Sequence, residues 1–261
     1  MSRALVLVFL LAACDSPVKP YAPQLDVFCV LRTDDSRPVA LVGRSVSHED
    51  WDRAGDWNGV DSATVVIAQG KDSTCFRSLP ESAGYYQSDS LSVIAGRSYG
   101  ISVRTPDGNE VRGSTIVPGS FHISSISSTA DSEQWRVRVA WTASQAAADY
   151  QLLVTSVYAN VGGETLCHRW SMSSDSGGAE FSTPLDGYHM VLATVGIRVG
   201  ALDRNYTDYL TMRNGYGYHN TLMHIDGGLG VFGSICVAET TIYPPQPSSP
   251  STLGRPVLPT R

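Results

Sequence analysis

The chain has 261 residues, a formal net charge of −6 and only 17 % charged residues, with no run of Lys and Arg anywhere along it. This argues against nucleic acid as a partner, because neutralising a phosphate backbone takes clustered cations. It argues against electrostatic adhesion to anionic lipid on the same ground. The frequent Ser, Thr, Gly, Val and Tyr suit strands and turns better than helices.

In chain order the first element is an export signal. Met1-Ser2-Arg3 is a short positive start, Ala4 to Leu11 is an unbroken apolar run, and the small pair Ala12-Ala13 precedes Cys14. That order is a secretory signal peptide, too short and wrongly flanked for a membrane span. Leu11-Ala12-Ala13-Cys14 resembles the bacterial lipobox, which implies cleavage before Cys14 and acylation of its thiol and new amine. Each methylene buried in lipid is worth about 0.8 kcal/mol, so several acyl chains suffice as an anchor. An ordinary signal peptide ending near Ala13 is the competing reading. The expected address is the bacterial cell envelope, by a lipid anchor on Cys14. Asp15 retains some enteric lipoproteins in the inner membrane, but that rule does not transfer between lineages, and the outer membrane is the expectation. Without residues 1–13 the chain carries 18 Lys+Arg against 25 Asp+Glu, a net charge near −7.

Residues 15–24 hold three prolines and read as an extended tether. Strands are expected over Leu25–Leu31 and Val39–Val46, then a polar loop over 47–61. A hairpin follows, from Ala63–Gln69 through Gly70-Lys71-Asp72-Ser73 to Thr74–Leu79. Tyr99–Arg104 alternates, Thr105-Pro106-Asp107-Gly108-Asn109 has turn chemistry, and Glu110–Val117 leads to a break at Pro118-Gly119. A domain boundary is expected there, giving bodies of residues 25–118 and 119–243.

The second body opens with Phe121–Ile126. In Trp135–Trp141 the residues Trp135, Val137, Val139 and Trp141 share one face, and Arg136 and Arg138 the other. Strands are expected over Asp149–Thr155, Thr165–Met172, Val191–Leu202 and Val231–Tyr243, with a short helix over Thr207–Arg213. The proline-rich tail from Pro244 reads as disordered. Short strands between polar turns, with almost no helical periodicity, define an all-β chain of two β-sandwiches of the immunoglobulin or fibronectin type III kind.

Two likenesses support that reading. Trp141-Thr142, Tyr150 to Val154 and Val199 to Asp203 resemble a fibronectin type III module, which implies a core Trp with a Tyr packed beside it. Residues 160–190 and 204–230 are longer than such a module needs. A wider likeness lies in the order of elements: lipobox, tether, Gly96 to Val103 before Pro106-Asp107-Gly108, Thr115 to Pro118, and Gly227 to Ser234. It is similar to a family of bacterial lipoproteins known as domain of unknown function 4249. That family implies an envelope lipoprotein, often encoded near outer-membrane transporters of the TonB-dependent type. It supplies no catalytic residues.

Four cysteines remain besides Cys14. In an exported chain Cys29, Cys75, Cys167 and Cys236 suggest disulfides. Of the three pairings, Cys29–Cys75 and Cys167–Cys236 keep each bridge inside one body, worth roughly 2–4 kcal/mol apiece. Buried free thiols are the other reading. No Cys-x-x-Cys occurs, so no zinc site is expected.

The glycine-dense Gly227 to Gly233 lacks the Lys and the following helix of a phosphate cradle, and reads as a bulged or tightly turned start of the last strand. His48 to Asp52 gathers three carboxylates without calcium-loop spacing. No metal and no cofactor is expected. Asp203, Tyr206, Tyr209, Tyr216 and Tyr218 form an aromatic, polar group suited to partner recognition. The competing view has Asp203 capping the helix and the tyrosines closing the sandwich edge. His224 and Asp226 share a face if extended, and His219 lies nearby, but no nucleophile elbow accompanies them. The expected function is a non-catalytic binding module, accessory to an outer-membrane transporter. A hydrolase of envelope polymers using Asp203, His224 or Asp226, and a carbohydrate-binding protein, are the alternatives.

Overall fold

The structure is a computed structural model that describes residues 21–47, 58–131, 133–160, 162–174, 177–187, 190–214 and 223–245. The first body contains β1 (Leu25–Arg32), β2 (Val39–Arg44), β3 (Thr64–Gln69), β4 (Asp72–Ser78), β5 (Tyr85–Gln87), β6 (Ser98–Arg104) and β7 (Glu110–Ile116). The second contains β8 (Ile123–Ala130), β9 (Gln134–Trp141), β10 (Asp149–Ala159), β11 (Thr165–Ser174), β12 (Gly178–Pro184), β13 (Asp186–Gly187) and β14 (Met190–Leu202). Helix α1 (Arg204–Asn214), β15 (Ile225–Asp226) and β16 (Leu229–Ile242) close the chain. The all-β expectation holds, and the helix among the described residues begins three residues earlier than its sequence pattern suggests.

In the second body the sheet β8–β9–β12 faces the sheet β11–β10–β14–β16. The alternation on β9 does what its period requires: Trp135, Val137, Val139 and Trp141 are buried, while Arg136 and Arg138 are exposed. Trp141 packs against Tyr150 with ring centroids 5.6 Å apart, and the Tyr150 hydroxyl accepts the Ser144 amide at 2.7 Å. Burying Trp141 in this way removes about 150–250 Å² of aromatic surface from water. Three strands against four, with the Trp–Tyr pair between them, is a fibronectin type III-like sandwich.

In the first body the strands follow one another as β1–β2–β5–β4–β3–β6–β7. The strip curls back, so that β7 lies against β16. A Cβ on Gly113 would sit 3.2 Å from the Phe232 Cβ, and this glycine allows the close approach.

The longest strand, β16, belongs to both bodies. Its first half runs parallel to β1, from Asp26↔Leu229 to Arg32↔Ile235. Its second half runs antiparallel to β14, from Leu202↔Ile235 to Val195↔Ile242. The turn after β1 secures the crossover point: Thr33 donates its amide to the Ile235 carbonyl at 3.1 Å, and its Oγ1 accepts the Val237 amide at 3.0 Å. Arg198 on β14 pairs with Asp34 at 3.3 Å. Separating the bodies would expose the backbone groups of the β1–β16 ladder, which are costly to leave unpaired when buried.

The expected start of the last strand is borne out. Gly227 and Gly230 have φ of 85° and 109°. A Cβ on Gly230 would stand 2.0 Å from the Val27 carbonyl oxygen. Only glycine lets the chain pass there and join β1.

The expected disulfides are corrected: Cys29, Cys75, Cys167 and Cys236 are all free. Cys29 lies on the inward face of β1 and Cys75 is exposed on β4, with β2 and β5 between them. Cys236 is level with Ser174, at the far end of β11 from Cys167 and with β14 and β10 between the two strands. A disulfide needs Cα atoms within about 7 Å, and neither pair meets that. Burial alone accounts for Cys29, whose thiol is pushed up to about 12 by burial first and by Asp35 second.

Candidate functional site

The segment between β14 and β16 exceeds what joining two sandwich strands requires, and it carries α1. Asp203 starts the helix as its N-cap. Its Oδ1 accepts the Tyr206 amide at 2.9 Å, and its carbonyl accepts the Thr207 amide at 3.1 Å. Such a cap is worth about 1 kcal/mol. Arg213 in the last turn meets the negative end of the helix dipole.

Asp203 does more than cap. It is 4 % exposed. Its Oδ1 also accepts the Ser234 amide at 3.0 Å, and its Oδ2 accepts the Thr115 hydroxyl. Thr115 and Ser234 hydroxyls are 2.8 Å apart. One carboxylate thus joins α1, β7 and β16, from chain positions 115, 203 and 234. Burial raises its pKa, and the donors from Thr115, Ser234 and Tyr206 work against that rise. Asn205 reinforces the junction: its Nδ2 donates to the Ser114 carbonyl at 2.7 Å and the Phe232 carbonyl at 2.8 Å. Gly233 lets the helix sit this low, since a Cβ there would be 2.8 Å from the Tyr206 Cβ.

The helix covers the outer face of the β1–β16 junction and presents aromatics beside it. Tyr206 and Tyr209 stack with planes 11° apart and centroids at 6.3 Å. Phe28, on the outward face of β1, meets Tyr209 edge-to-face at 5.5 Å. All three rings are half-buried. Burial raises the Tyr206 hydroxyl pKa, against the opposing charges of Arg213 and Arg32. The result is a small aromatic platform with cations close by, suited to holding an apolar or π-rich surface.

A second polar cluster lies at the other side of the helix. Asp208, 7 % exposed, receives Arg204 Nε at 2.9 Å and stands 2.7 Å from His224 Nε2. Burial pushes its carboxyl pKa up, but His224 and Arg204 together outweigh burial and hold it below the usual range. His224 is therefore partnered by Asp208 across the loop rather than by Asp226. His224 and Asp226 are both exposed, and Asp226 sits on β15 opposite Arg112.

The sequence candidates thus divide. Tyr206 and Tyr209 come together. Asp203 is spent on the fold, as the capping view expected. Cys14, Tyr216, Tyr218, His219 and the His48–Asp52 carboxylates lie outside the described residues. Thr115, Ser234, Asp208 and Phe28 were not singled out. Only Asp208 left a trace, at i+4 from Arg204. Among the described residues no group of three His, Cys, Asp or Glu is placed to hold a metal ion.

These features define an all-β, sandwich-like protein whose C-terminal half is fibronectin type III-like and carries a helical insertion. The chain belongs to the family domain of unknown function 4249 (DUF4249), which it matches over residues 14–241. No curated protein matches it in sequence. Among solved structures it is similar to the FN1–FN3 domains of chicken CNTN1, with 12 % identity, TM-score 0.34 and coverage of 83 % of this chain and 67 % of that one. It is also similar to a DUF4785 family protein from Legionella pneumophila, with 13 % identity, TM-score 0.23 and coverage of 66 % of this chain. It spans about half of that protein's chain, 51 %.

Proposed function

We propose that this chain is a lipid-anchored lipoprotein of the bacterial outer membrane that acts as a non-catalytic binding module, accessory to an outer-membrane transporter. The observation that carries the binding role is the Phe28–Tyr206–Tyr209 platform. Three half-buried rings stand together on an inserted helix. The helix is locked to both bodies through Asp203 and Asn205. Aromatics held rigidly at low entropic cost are what recognition surfaces use as anchors.

The anchor is supported by the spacing of Leu11-Ala12-Ala13-Cys14 and by the proline-containing stretch of sequence between Cys14 and β1. β1 and β16 start at the same end, and β16 rises about 45 Å from there, at ~3.3 Å per residue. No helix among the described residues is long and apolar enough to cross a membrane.

Two measurements test the reading. Mass spectrometry of the mature form should find acyl chains on Cys14, and Cys14→Ser should release the protein from membranes; an unmodified thiol ends the anchor. Mild crosslinking in solubilised envelopes should recover a transporter component with the wild type and lose it with Tyr209→Ala. Equal recovery with both would remove the platform from the binding role.

A further inference from the structure

Strand β11 is the outermost strand of the large sheet, paired with β10 alone among the described residues. Its ten residues pair with β10 in unbroken register from Thr165↔Ala159 to Ser174↔Tyr150. Proteins usually blunt such edges with prolines, lysines, bulges or short strands. The other edges here follow that practice. β15 has two residues, β8 carries a bulge between Ile123 and Ser125, and β12 ends on Pro184. β11 has no proline, no lysine, no bulge and no acid.

The same strand overhangs the smaller sheet. Its even-numbered residues face inward, yet Leu166 and His168 are exposed where Trp170 and Met172 are half-buried. Beneath them opens a recess of about 670 Å³, lined by Tyr158, Leu166, His168, Pro184 and Met190. That is a usual size for a ligand cleft, and its lining is mostly apolar. On the opposite face of β11, Arg169 lines a polar hollow with Thr155, Arg198 and Glu239. Glu239 is engaged by Arg198 at 2.8 Å. No carboxylate pairs with Arg169 among the described residues.

We propose that β11 is a docking edge for an extended segment of a partner protein, added as a further strand, with apolar side chains alternating with acidic ones. Ladder hydrogen bonds to the free edge would supply affinity, and alternate side chains would supply specificity. Side chains opposite Leu166 and His168 enter the recess. The one opposite Arg169 carries the carboxylate that this cation lacks. Two other occupants fit less well. The chain's own tail, residues 244–261, has six prolines without N–H groups and no acid. A second copy of β11 likewise brings no acid, and a register centred on Arg169 would oppose two arginines. The edge lies on the side of the sheet remote from β1, with β10, β14 and β16 between them. The inference deepens the binding-module reading but needs neither the anchor nor the aromatic platform.

The test is a titration of the full chain with a fluorescein-labelled, end-capped synthetic decapeptide in which Val alternates with Glu and Thr. Saturable binding is expected. Arg169→Glu and Leu166→Glu, both on exposed positions, should each weaken it at least tenfold. A peptide with Lys in place of Glu should recover affinity on R169E, and N-methylation of alternate amides should abolish binding. Absence of saturable binding to the wild type, or equal affinity for R169E, overturns the proposal. So does a concentration-dependent dimer in sedimentation that L166E abolishes, which would make a second copy the occupant. Binding seen only after truncation beyond Tyr243 would name the tail instead and likewise overturn it. Peptide failure with crosslinking of a transporter component retained would sink this edge alone, leaving the binding-module reading in place.

Discussion

Ser234 donates its backbone amide to Asp203 Oδ1 across 31 residues of sequence, and the same oxygen caps α1 through Tyr206. The helix and the shared strand therefore depend on one carboxylate. Asp203→Ala should strand buried donors and remove the cap, lowering stability by about 2–4 kcal/mol in denaturant titration.

Asp203→Asn is the informative partner. Burial raises the Asp203 pKa, so its folded value lies above an unfolded value of about 4. The contribution from this group is fully present below the unfolded value and is lost as pH rises through the folded one. An amide keeps two acceptor contacts on its oxygen and can donate to Thr115 Oγ1, with Thr115 then donating to Ser234 Oγ. D203N should fold and show a flatter stability–pH curve above pH 4 than the wild type. An unchanged slope would mean that another group sets it.

Gly230 is the tightest backbone position in the shared strand. Its φ of 109° is reserved for glycine, and an added Cβ would collide with the Val27 carbonyl. Gly230→Ala should lower stability by about 3 kcal/mol or more, adding backbone strain to displacement of β1. For a chain this size that is a drop of about 6–12 °C in Tm. A smaller shift would show that β1 and β16 part without loss.

The cysteines offer a chemical check on the architecture. In Cys14→Ser protein, thiol titration should count two rapidly reacting groups, Cys75 and Cys167, and two that react only on unfolding, Cys29 and Cys236. Reductant should leave the Tm unchanged. A reductant-sensitive Tm would show that a bridge exists and that the strands carrying it lie closer than described.

Asp208 and His224 tie α1 to the start of β15. The Asp208 carboxyl is held below its usual range, so its contribution is present above an unfolded pKa of about 4 and lost as pH falls through the lower folded value. His224→Ala should move the Asp208 titration upward by carbon-13 NMR and raise the acid-unfolding midpoint. If Asp208 titrates at the same pH in H224A, Arg204 alone holds it.

Much of this architecture was legible locally. The alternation of Trp135 to Trp141, the turn at Pro106-Asp107-Gly108 and the Trp141–Tyr150 spacing specify strands and a core face, because side-chain period reports which face water leaves. Asp203 before a helical segment reads as a cap because its carboxylate can accept the unpaired first amides of the helix. Short strands such as β5 and β15 left no such pattern, since two or three residues cannot establish a period.

What the sequence by itself determined is thus the sandwich class, the helix and the glycine-bent start of the last strand. The tertiary structure alone decided that β16 joins both bodies, that Asp203 gathers Thr115 and Ser234, that His224 answers Asp208, and that the cysteines stay apart. Periodicity carries local information along one strand. Which strands meet depends on how distant segments jointly bury surface and satisfy backbone polar groups, and that has no signature at any single position.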